Sequence, residues 1–160
     1  MKKPLLALTM GDPAGVGPEV IAGAWPQAHL HDWCRPLVVG RPEIMRRAAR
    51  LWEAGLTVVE IANPEEAVPS PELLPCLTAC DAAVVDVAPS AIDARGGQAA
   101  YDALVTAAKL ALAGRVDGIT TAPLNKAALW KAGHHYPGHT ELLAELCGVR
   151  DFAMMLYLAH

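Results

Sequence analysis

Short apolar runs alternate with helix-like segments along this sequence of 160 residues. Parallel strands need a crossover connection, which is usually a helix, so this alternation favours parallel βαβ units over hairpins. The pattern therefore predicts a layered α/β fold. The predicted strands cover residues 5–10, 37–39, 56–61, 83–87, 118–121 and 152–158.

Proline and glycine mark where the predicted helices begin and end. Pro18 suits a first helical turn, whereas Gly55 and Gly114 suit the residue just past a helix end. Residues 63–75 contain four prolines, which disfavour both a helix and a central strand and predict an extended surface segment. The predicted helices cover residues 18–24, 42–54, 98–113, 125–132 and 141–147.

Composition excludes several classes of protein. The chain is 53% hydrophobic and 19% charged, which is typical of a globular domain, and its net charge of −4 offers no basic surface for nucleic acid. No apolar run reaches the roughly 20 residues that span a bilayer. Four cysteines without paired spacing indicate reduced thiols in a cytoplasm. Because an apolar strand at 152–158 needs partners, we expect further residues after His160.

A glycine-rich loop follows the first predicted strand and leads into the first predicted helix. Glycine permits positive φ and a close approach of the backbone to a ligand, and such loops border the ligand crevice of parallel sheets. The spacing is neither that of a dinucleotide-binding fingerprint nor that of a P-loop. A tight turn without ligand is the alternative. The loop contains Gly11, Asp12, Gly15 and Gly17.

Polar residues also stand at the starts of two later helices, where unpaired N–H groups and the helix dipole favour an anion. Lys126 lies in one first turn, where a bound anion would offset an unfavourable cation, although a solvated lysine is equally compatible. His139 and Thr140 precede the next helix and suit recognition of hydroxyl, carboxylate or phosphate oxygens. The alternative for His139 is a helix cap, and Thr120 and Thr121 either bind the same ligand or cap the turn.

Other polar and sulfur-containing residues are given simpler roles. His134 and His135 are predicted to lie on the surface, and Cys76 and Cys80 are predicted to fill apolar space. The residues Asp93 and Arg95 suit either a function or a solvated loop, and the sequence does not separate these.

Three segments, in this order, resemble the 4-hydroxythreonine-4-phosphate dehydrogenase family of pyridoxal phosphate biosynthesis. They are TMGDPAGVGPE at residues 9–19, TTAPLNK at 120–126 and YPGHTELLAE at 136–145. The similarity extends to about Leu156 but covers only the N-terminal half of a family member. It implies a three-layer α/β/α fold like that of isopropylmalate dehydrogenase, with residues 1–128 in a first domain and 129–160 beginning a second.

The resemblance also implies an activity. Members oxidise 4-phosphooxy-threonine with NAD or NADP to a 2-amino-3-oxo acid, which decarboxylates to 3-amino-2-oxopropyl phosphate. They are cytoplasmic homodimers with active sites at the subunit interface. A divalent metal (Zn, Mg or Co) holds the substrate's oxygens in that family, and its histidine ligands lie in segments that this chain does not contain. His160 is not assigned as a ligand, and the isolated chain is expected to be inactive.

Site residues follow from the same resemblance. His139 and Thr140 are expected to contact substrate, and Lys126 is a further candidate. The candidate cofactor-binding residues are Gly11, Asp12, Gly15 and Gly17. Three alternatives stay open: a related dehydrogenase acting on a four-carbon sugar-acid phosphate or a dihydrodiol, a non-catalytic anion-binding module, and a phosphotransferase.

Overall fold

The computed structural model describes residues 2–52 and 55–158. Within these ranges five strands form one sheet in which every pairing is parallel. The strands are β1 (Leu5–Thr9), β2 (Arg35–Gly40), β3 (Thr57–Ile61), β4 (Leu73–Thr78) and β5 (Gly118–Thr121). Their order across the sheet is β3-β4-β2-β1-β5, which confirms the α/β prediction.

Helices cover both faces of this sheet and give it three layers. They are α1 (Gly17–Ala24), α2 (Ala28–Trp33), α3 (Pro42–Leu51), α4 (Ala94–Leu112), α5 (Lys126–Lys131) and α6 (His139–Leu146). Two short 3-10 helices, Pro64–Glu66 and Ala82–Asp86, lie in the connections. The predicted end of the second helix, at Ala54, lies outside the described residues.

The core consists of two apolar clusters, one on each face of the sheet. Val38 of β2 packs with Met10 and Trp25 on the face covered by α1 and α3. Its neighbours Leu37 and Val39 belong to the opposite cluster, which α4 covers. Alternate residues of a strand point to opposite faces, so β2 is apolar throughout because both of its faces are buried.

Three predicted elements are wrong. Residues 63–75 are not one surface segment, because β4 begins at Leu73 and lies between β3 and β2. Pro75 is tolerated there since the pairing of β4 with β2 starts only at the next residue, Cys76. Residues 83–87 form a 3-10 helix instead of a strand, because the Asp81 carboxylate caps it by accepting the Ala83 N–H at 2.7 Å.

The third error is the buried strand predicted at 152–158. These residues have no regular structure, and their side chains are exposed, Met155 by 87% and Leu156 by 88%. His160 lies outside the described residues. The division into domains at 128/129 stays a prediction; α5 runs across that position and packs on α4.

A close contact between α4 and α5 fixes the position of α5. Gly97 of α4 faces the Ala128 carbonyl so closely that a Cβ atom there would collide with it. Glycine is therefore required at 97 by packing alone, and its φ is not in the left-handed region. This contact also sets where the chain after α5 lies.

Candidate functional site

The sheet topology places one crevice at the carboxyl ends of β1 and β5. The chain leaves β1 towards β2 on one side and reaches β5 on the other, which makes this the switch point where ligands bind in open α/β sheets. Both loops of interest start here. The β1–α1 loop contains Gly11, Asp12 and Gly15, the fourth candidate cofactor-binding residue, Gly17, begins α1, and the β5–α5 loop contains Ala122 and Pro123.

These two loops are locked together by their backbones. The Asp12 N–H donates to the Pro123 carbonyl at 3.0 Å, and the Ala122 N–H donates to the Thr9 carbonyl at 3.2 Å. Gly11 adopts a φ of +72°, and a Cβ atom on it would collide with the Pro123 carbonyl. Gly17 is equally close to the Met10 carbonyl. Gly11 and Gly17 are thus explained by packing within the chain, whereas Gly15 is exposed.

Asp12 lies beneath this junction and is 3% exposed. Its Oδ1 atom accepts the Ala14 N–H at 2.9 Å and lies against Gly96 of α4. Burial raises the pKa of the Asp12 carboxyl; the Ala14 N–H opposes this effect and the nearby Asp93 charge adds to it. Asp12 therefore joins the loop to α4 and has little surface left for a ligand.

The roles of Asp93 and Arg95, left open by the sequence, are local. Asp93 caps α4 by accepting the Arg95 N–H at 2.8 Å, and the two side chains form an ion pair at 2.7 Å. Hydrogen bonding from the Arg95 side chain lowers the pKa of Asp93 to about 2. The pair therefore caps the N-terminus of α4, and this local role accounts for both residues.

An open cleft of about 400 Å³ lies beside α6, at the end of β5. His139 and Thr140 both line it, as does Thr121, the last residue of β5. The structure thus brings the two predicted substrate-contacting residues together with one of the two threonines considered. The cleft is lined by Thr121, His139, Thr140, Leu143, Ala144, Cys147, Val149 and Phe152.

The start of α6 leaves backbone donors available at this cleft. The helix begins at His139, two residues earlier than predicted, so His139 and Thr140 lie in its first turn. Gly138 occupies the cap position and has no side chain with which to accept the first N–H groups. The first N–H groups of α6 thus have no side-chain cap, and His139 and Thr140 of the same turn line the cleft, an arrangement that suits an anion.

The surroundings of His139 favour its neutral form. The residue is partly buried, and burial lowers the pKa of its imidazole, while the neighbouring Ala122 carbonyl opposes this shift. A neutral ring presents one donor and one acceptor nitrogen. Because the Ala122 carbonyl occupies the donor, the other nitrogen of a neutral His139 ring can accept a hydrogen bond from a ligand hydroxyl.

Lys126 lies in the first turn of a helix, as the sequence predicted. It is the exposed first residue of α5, and Asn125 caps that helix by accepting the Ala128 N–H at 3.1 Å. Lys126 is not among the described residues that line the cleft. Its predicted role in substrate binding stays a prediction.

Sequence reasoning missed the apolar side of the cleft. Leu143 and Cys147 follow His139 at intervals of four residues and so share its face of α6. That spacing was a usable signal. Phe152 lies beyond the helix, where no periodic pattern indicates its position. Of the four free cysteines, Cys147 is exposed, and Cys76 and Cys80 are buried as predicted.

The loop between α5 and α6, residues 132–138, is held by side chains at both ends. His134 is not a plain surface residue, because its ring stacks on Tyr101 at 3.6 Å between centroids and its Nε2 bonds to Gln98 Oε1 at 2.9 Å. The Trp130 indole donates to the Tyr136 carbonyl at 3.1 Å. These contacts hold the segment that leads into α6.

Across residues 2–52 and 55–158, no three His, Cys, Asp or Glu side chains come together as a metal site would require. The metal implied by the resemblance therefore does not fit the described residues alone. Among the helices of the described chain, none has the length and apolar character needed to cross a bilayer.

The fold and the cleft define an α/β protein with a candidate anion site at a helix start beside a parallel sheet. A family model described as pyridoxal phosphate biosynthetic protein PdxA matches residues 32–160. The chain belongs to this family, as its three motifs predicted.

Individual relatives agree. The chain is 43% identical to 4-hydroxythreonine-4-phosphate dehydrogenase from Trichlorobacter lovleyi, over 96% of this chain and 46% of that protein. It is 42% identical to D-threonate 4-phosphate dehydrogenase from Pectobacterium atrosepticum, over 96% and 47% respectively. The crystal structure of a 4-hydroxythreonine-4-phosphate dehydrogenase from Burkholderia phymatum superposes with a TM-score of 0.88 at 38% identity, over 94% and 46%. The chain thus spans about half the length of these relatives.

Proposed function

We propose that this chain forms part of a dehydrogenase of pyridoxal phosphate biosynthesis. Its substrate is 4-phosphooxy-threonine, which is oxidised at a secondary alcohol to a 2-amino-3-oxo acid that decarboxylates to 3-amino-2-oxopropyl phosphate. The observation that carries the proposal is the cleft at α6, in which His139, Thr140 and Thr121 face the same open space. Family membership and the dehydrogenase names of the relatives support the reaction class.

In this proposal His139 and Thr140 bind and orient the substrate. The first-turn N–H groups of α6 and the Thr140 hydroxyl donate to its anionic oxygens. The neutral His139 ring keeps its N–H for the Ala122 carbonyl and accepts a hydrogen bond from a substrate hydroxyl on its other nitrogen. Leu143 supplies an apolar wall that limits water on one side of the bound molecule. The chain's own residues therefore position the substrate.

The other requirements of the reaction are part of the proposal. We infer that it uses NAD or NADP as oxidant and depends on a divalent metal, Zn, Mg or Co, with ligands in the part of a full-length relative that this chain does not span. A homodimer in the cytoplasm, with the active site at the subunit interface, belongs to the same proposal. Of the four candidate cofactor-binding residues, Gly15 is the one whose exposure suits that role.

A second substrate is favoured by one specific observation. A relative at 42% identity is named D-threonate 4-phosphate dehydrogenase, almost the same similarity as the 43% of the relative named for 4-hydroxythreonine 4-phosphate. The two molecules share a four-carbon acid, a phosphate and a secondary alcohol, and differ in an amino or hydroxyl group at C2. The cleft's described residues contain no carboxylate that would select the amine. The family description favours the first substrate.

The test is an assay of the protein produced from its natural gene. Formation of NADH or NADPH is followed with 4-phosphooxy-threonine and with D-threonate 4-phosphate, each with Zn²⁺, Mg²⁺ or Co²⁺ and after chelation. We expect turnover with 4-phosphooxy-threonine that chelation abolishes. A higher kcat/KM for D-threonate 4-phosphate would assign the second substrate, and no turnover with either would contradict the proposal.

A further inference from the structure

The helix that carries His139 and Thr140 is tied back to the loop that precedes it. The Tyr136 hydroxyl donates to Glu145 Oε1 at 2.9 Å, and Glu145 lies in the last turn of α6. One side chain thus connects a residue before the helix with a residue near its end. This contact restrains the direction in which α6 leaves the loop.

The same tyrosine is also tied to the preceding helix. Its carbonyl accepts the Trp130 indole N–H at 3.1 Å, and Trp130 belongs to α5. The helix α5 is itself fixed against α4 through Gly97 and Ala128. Tyr136 therefore continues a chain of contacts that runs from α4 through α5 to α6. No residue in this chain of contacts lines the cleft.

We propose that Tyr136 is a positioning residue of the substrate site, which acts through Glu145 to hold α6 so that His139 and Thr140 face the cleft together. This inference rests on the proposed function for its effect on substrate, but its effect on His139 is independent of any activity. Tyr136 does not touch the substrate in this account. Its hydroxyl sets the geometry of the two residues that do.

The hydroxyl can be removed without altering the ring, by Tyr136→Phe, and the acceptor can be removed by Glu145→Ala. Glu145→Gln keeps an oxygen that accepts the tyrosine O–H, so it should restore the wild-type behaviour. Tyr101→Phe is the matched control, since it deletes a tyrosine hydroxyl and keeps the ring that stacks on His134.

The first readout is the kinetics of the protein from its natural gene. For Tyr136→Phe and Glu145→Ala we expect KM for the phosphorylated substrate to rise about three- to tenfold, the effect of one hydrogen bond, with kcat changed less than about twofold. The double variant should be no worse than either single one, because both remove the same contact. Glu145→Gln and Tyr101→Phe should match the wild type.

The second readout is a pH titration of the His139 ring by NMR, with the signal assigned by its loss in His139→Gln. The wild type, Glu145→Gln and Tyr101→Phe should show the lowered pKa of a partly buried imidazole. In Tyr136→Phe the pKa should move upward, because a less restrained ring is better hydrated.

The two readouts separate the failures. Absence of turnover with every substrate would contradict the proposed function, and the titration would still decide the role of Tyr136. An unchanged His139 titration in Tyr136→Phe would overturn the positioning role, even if the variant were less stable. Failure of Glu145→Gln to restore wild-type values would overturn the assignment of Glu145 as its partner.

Discussion

The β1–α1 loop and the start of α6 both have the sequence features of an anion site, yet their structures differ. Gly11 in the loop and Gly17 at the start of α1 lie against backbone carbonyls, and Asp12 is 3% exposed. At α6, His139 and Thr140 face an open cleft of about 400 Å³. A glycine-rich loop permits close approach of either a ligand or another part of the chain, and the sequence does not say which. Here the partner is largely the chain itself.

The two regions differ in the surroundings of the helix start. The first-turn region of α1 is reached through a loop whose backbone is hydrogen-bonded to the β5–α5 loop. Neither helix start has a side-chain cap, since Val16 before α1 and Gly138 before α6 make no capping hydrogen bond. The first residues of α1, Gly17 and Pro18, are buried, whereas His139 and Thr140 line the open cleft. Open space beside the helix start, more than a glycine count, distinguishes a candidate site from a packed turn.

The largest expected effect is at Gly11. The Gly11→Ala substitution should lower the free energy of unfolding by about 3 kcal/mol, because left-handed strain adds to a collision with the Pro123 carbonyl. Gly114→Ala is the matched control, because Gly114 has a φ of +66° and a Cβ atom built there would have no neighbouring atom within 4 Å. Backbone strain alone should therefore lower its free energy of unfolding by about 1 kcal/mol. Urea denaturation measures both, and equal losses would show that the loop is not closed by packing.

The next effect is at the open region. His139→Ala should lower kcat/KM for the phosphorylated substrate about 10- to 100-fold, because it removes a hydrogen bond to a charged ligand. The free energy of unfolding, measured with urea, should change much less than in Gly11→Ala. His135→Ala is the control, since that histidine is exposed and is not among the cleft-lining residues of the described chain. Equal losses of activity in the two variants would remove His139 from the site.

A smaller effect, with a sign set by pH, is expected at Asp12. Because burial raises its pKa in the folded state, the stability linked to this group is complete below the unfolded pKa and is lost as pH rises through the folded pKa. Asp12→Asn keeps the acceptor for the Ala14 N–H and cannot ionise. Its stability relative to the wild type should therefore increase as pH rises above the ordinary aspartate pKa, as measured by urea denaturation across that range. A difference independent of pH would contradict the buried-carboxyl account.

The smallest effect is expected at Lys126, which belongs to neither of the two regions compared. Lys126→Gln removes a cation from a helix start and should stabilise the fold by about 0.3–1 kcal/mol at low salt, with the gain falling as salt is added. KM for the substrate should change less than about twofold, because the lysine does not line the cleft. Lys109→Gln, in the last turn of α4, should have the opposite sign. A tenfold rise in KM for Lys126→Gln would indicate that Lys126 binds the substrate.

Much of the fold was predictable where local pattern and burial agree. The strand at 118–121 was predicted with its observed bounds, and β2 followed from an apolar run buried on both faces. The errors arose where one local signal outweighed the tertiary one. Pro75 suggested a break although β4 accommodates it, and the apolar residues 152–158 suggested a strand that the structure does not contain.

The site was predictable in part, for a similar reason. The sequence singled out His139 and Thr140, because the chemistry of a helix start is local, and both line the cleft. Their contact with substrate stays a prediction. It did not reveal that Asp12 is buried against Gly96 or that Tyr136 contacts Glu145. Such contacts join segments through space, and no spacing along a single strand or helix specifies them.

The contact between Gly97 and the Ala128 carbonyl has a consequence for how this sequence can vary. Any side chain at 97 would push α5 away from α4 and would carry the loop and α6 with it. In a library with all residues at 97, glycine alone should survive selection for the proposed activity, although position 97 offers a ligand no functional group. A residue without a side chain is thereby as strongly constrained as one that binds substrate.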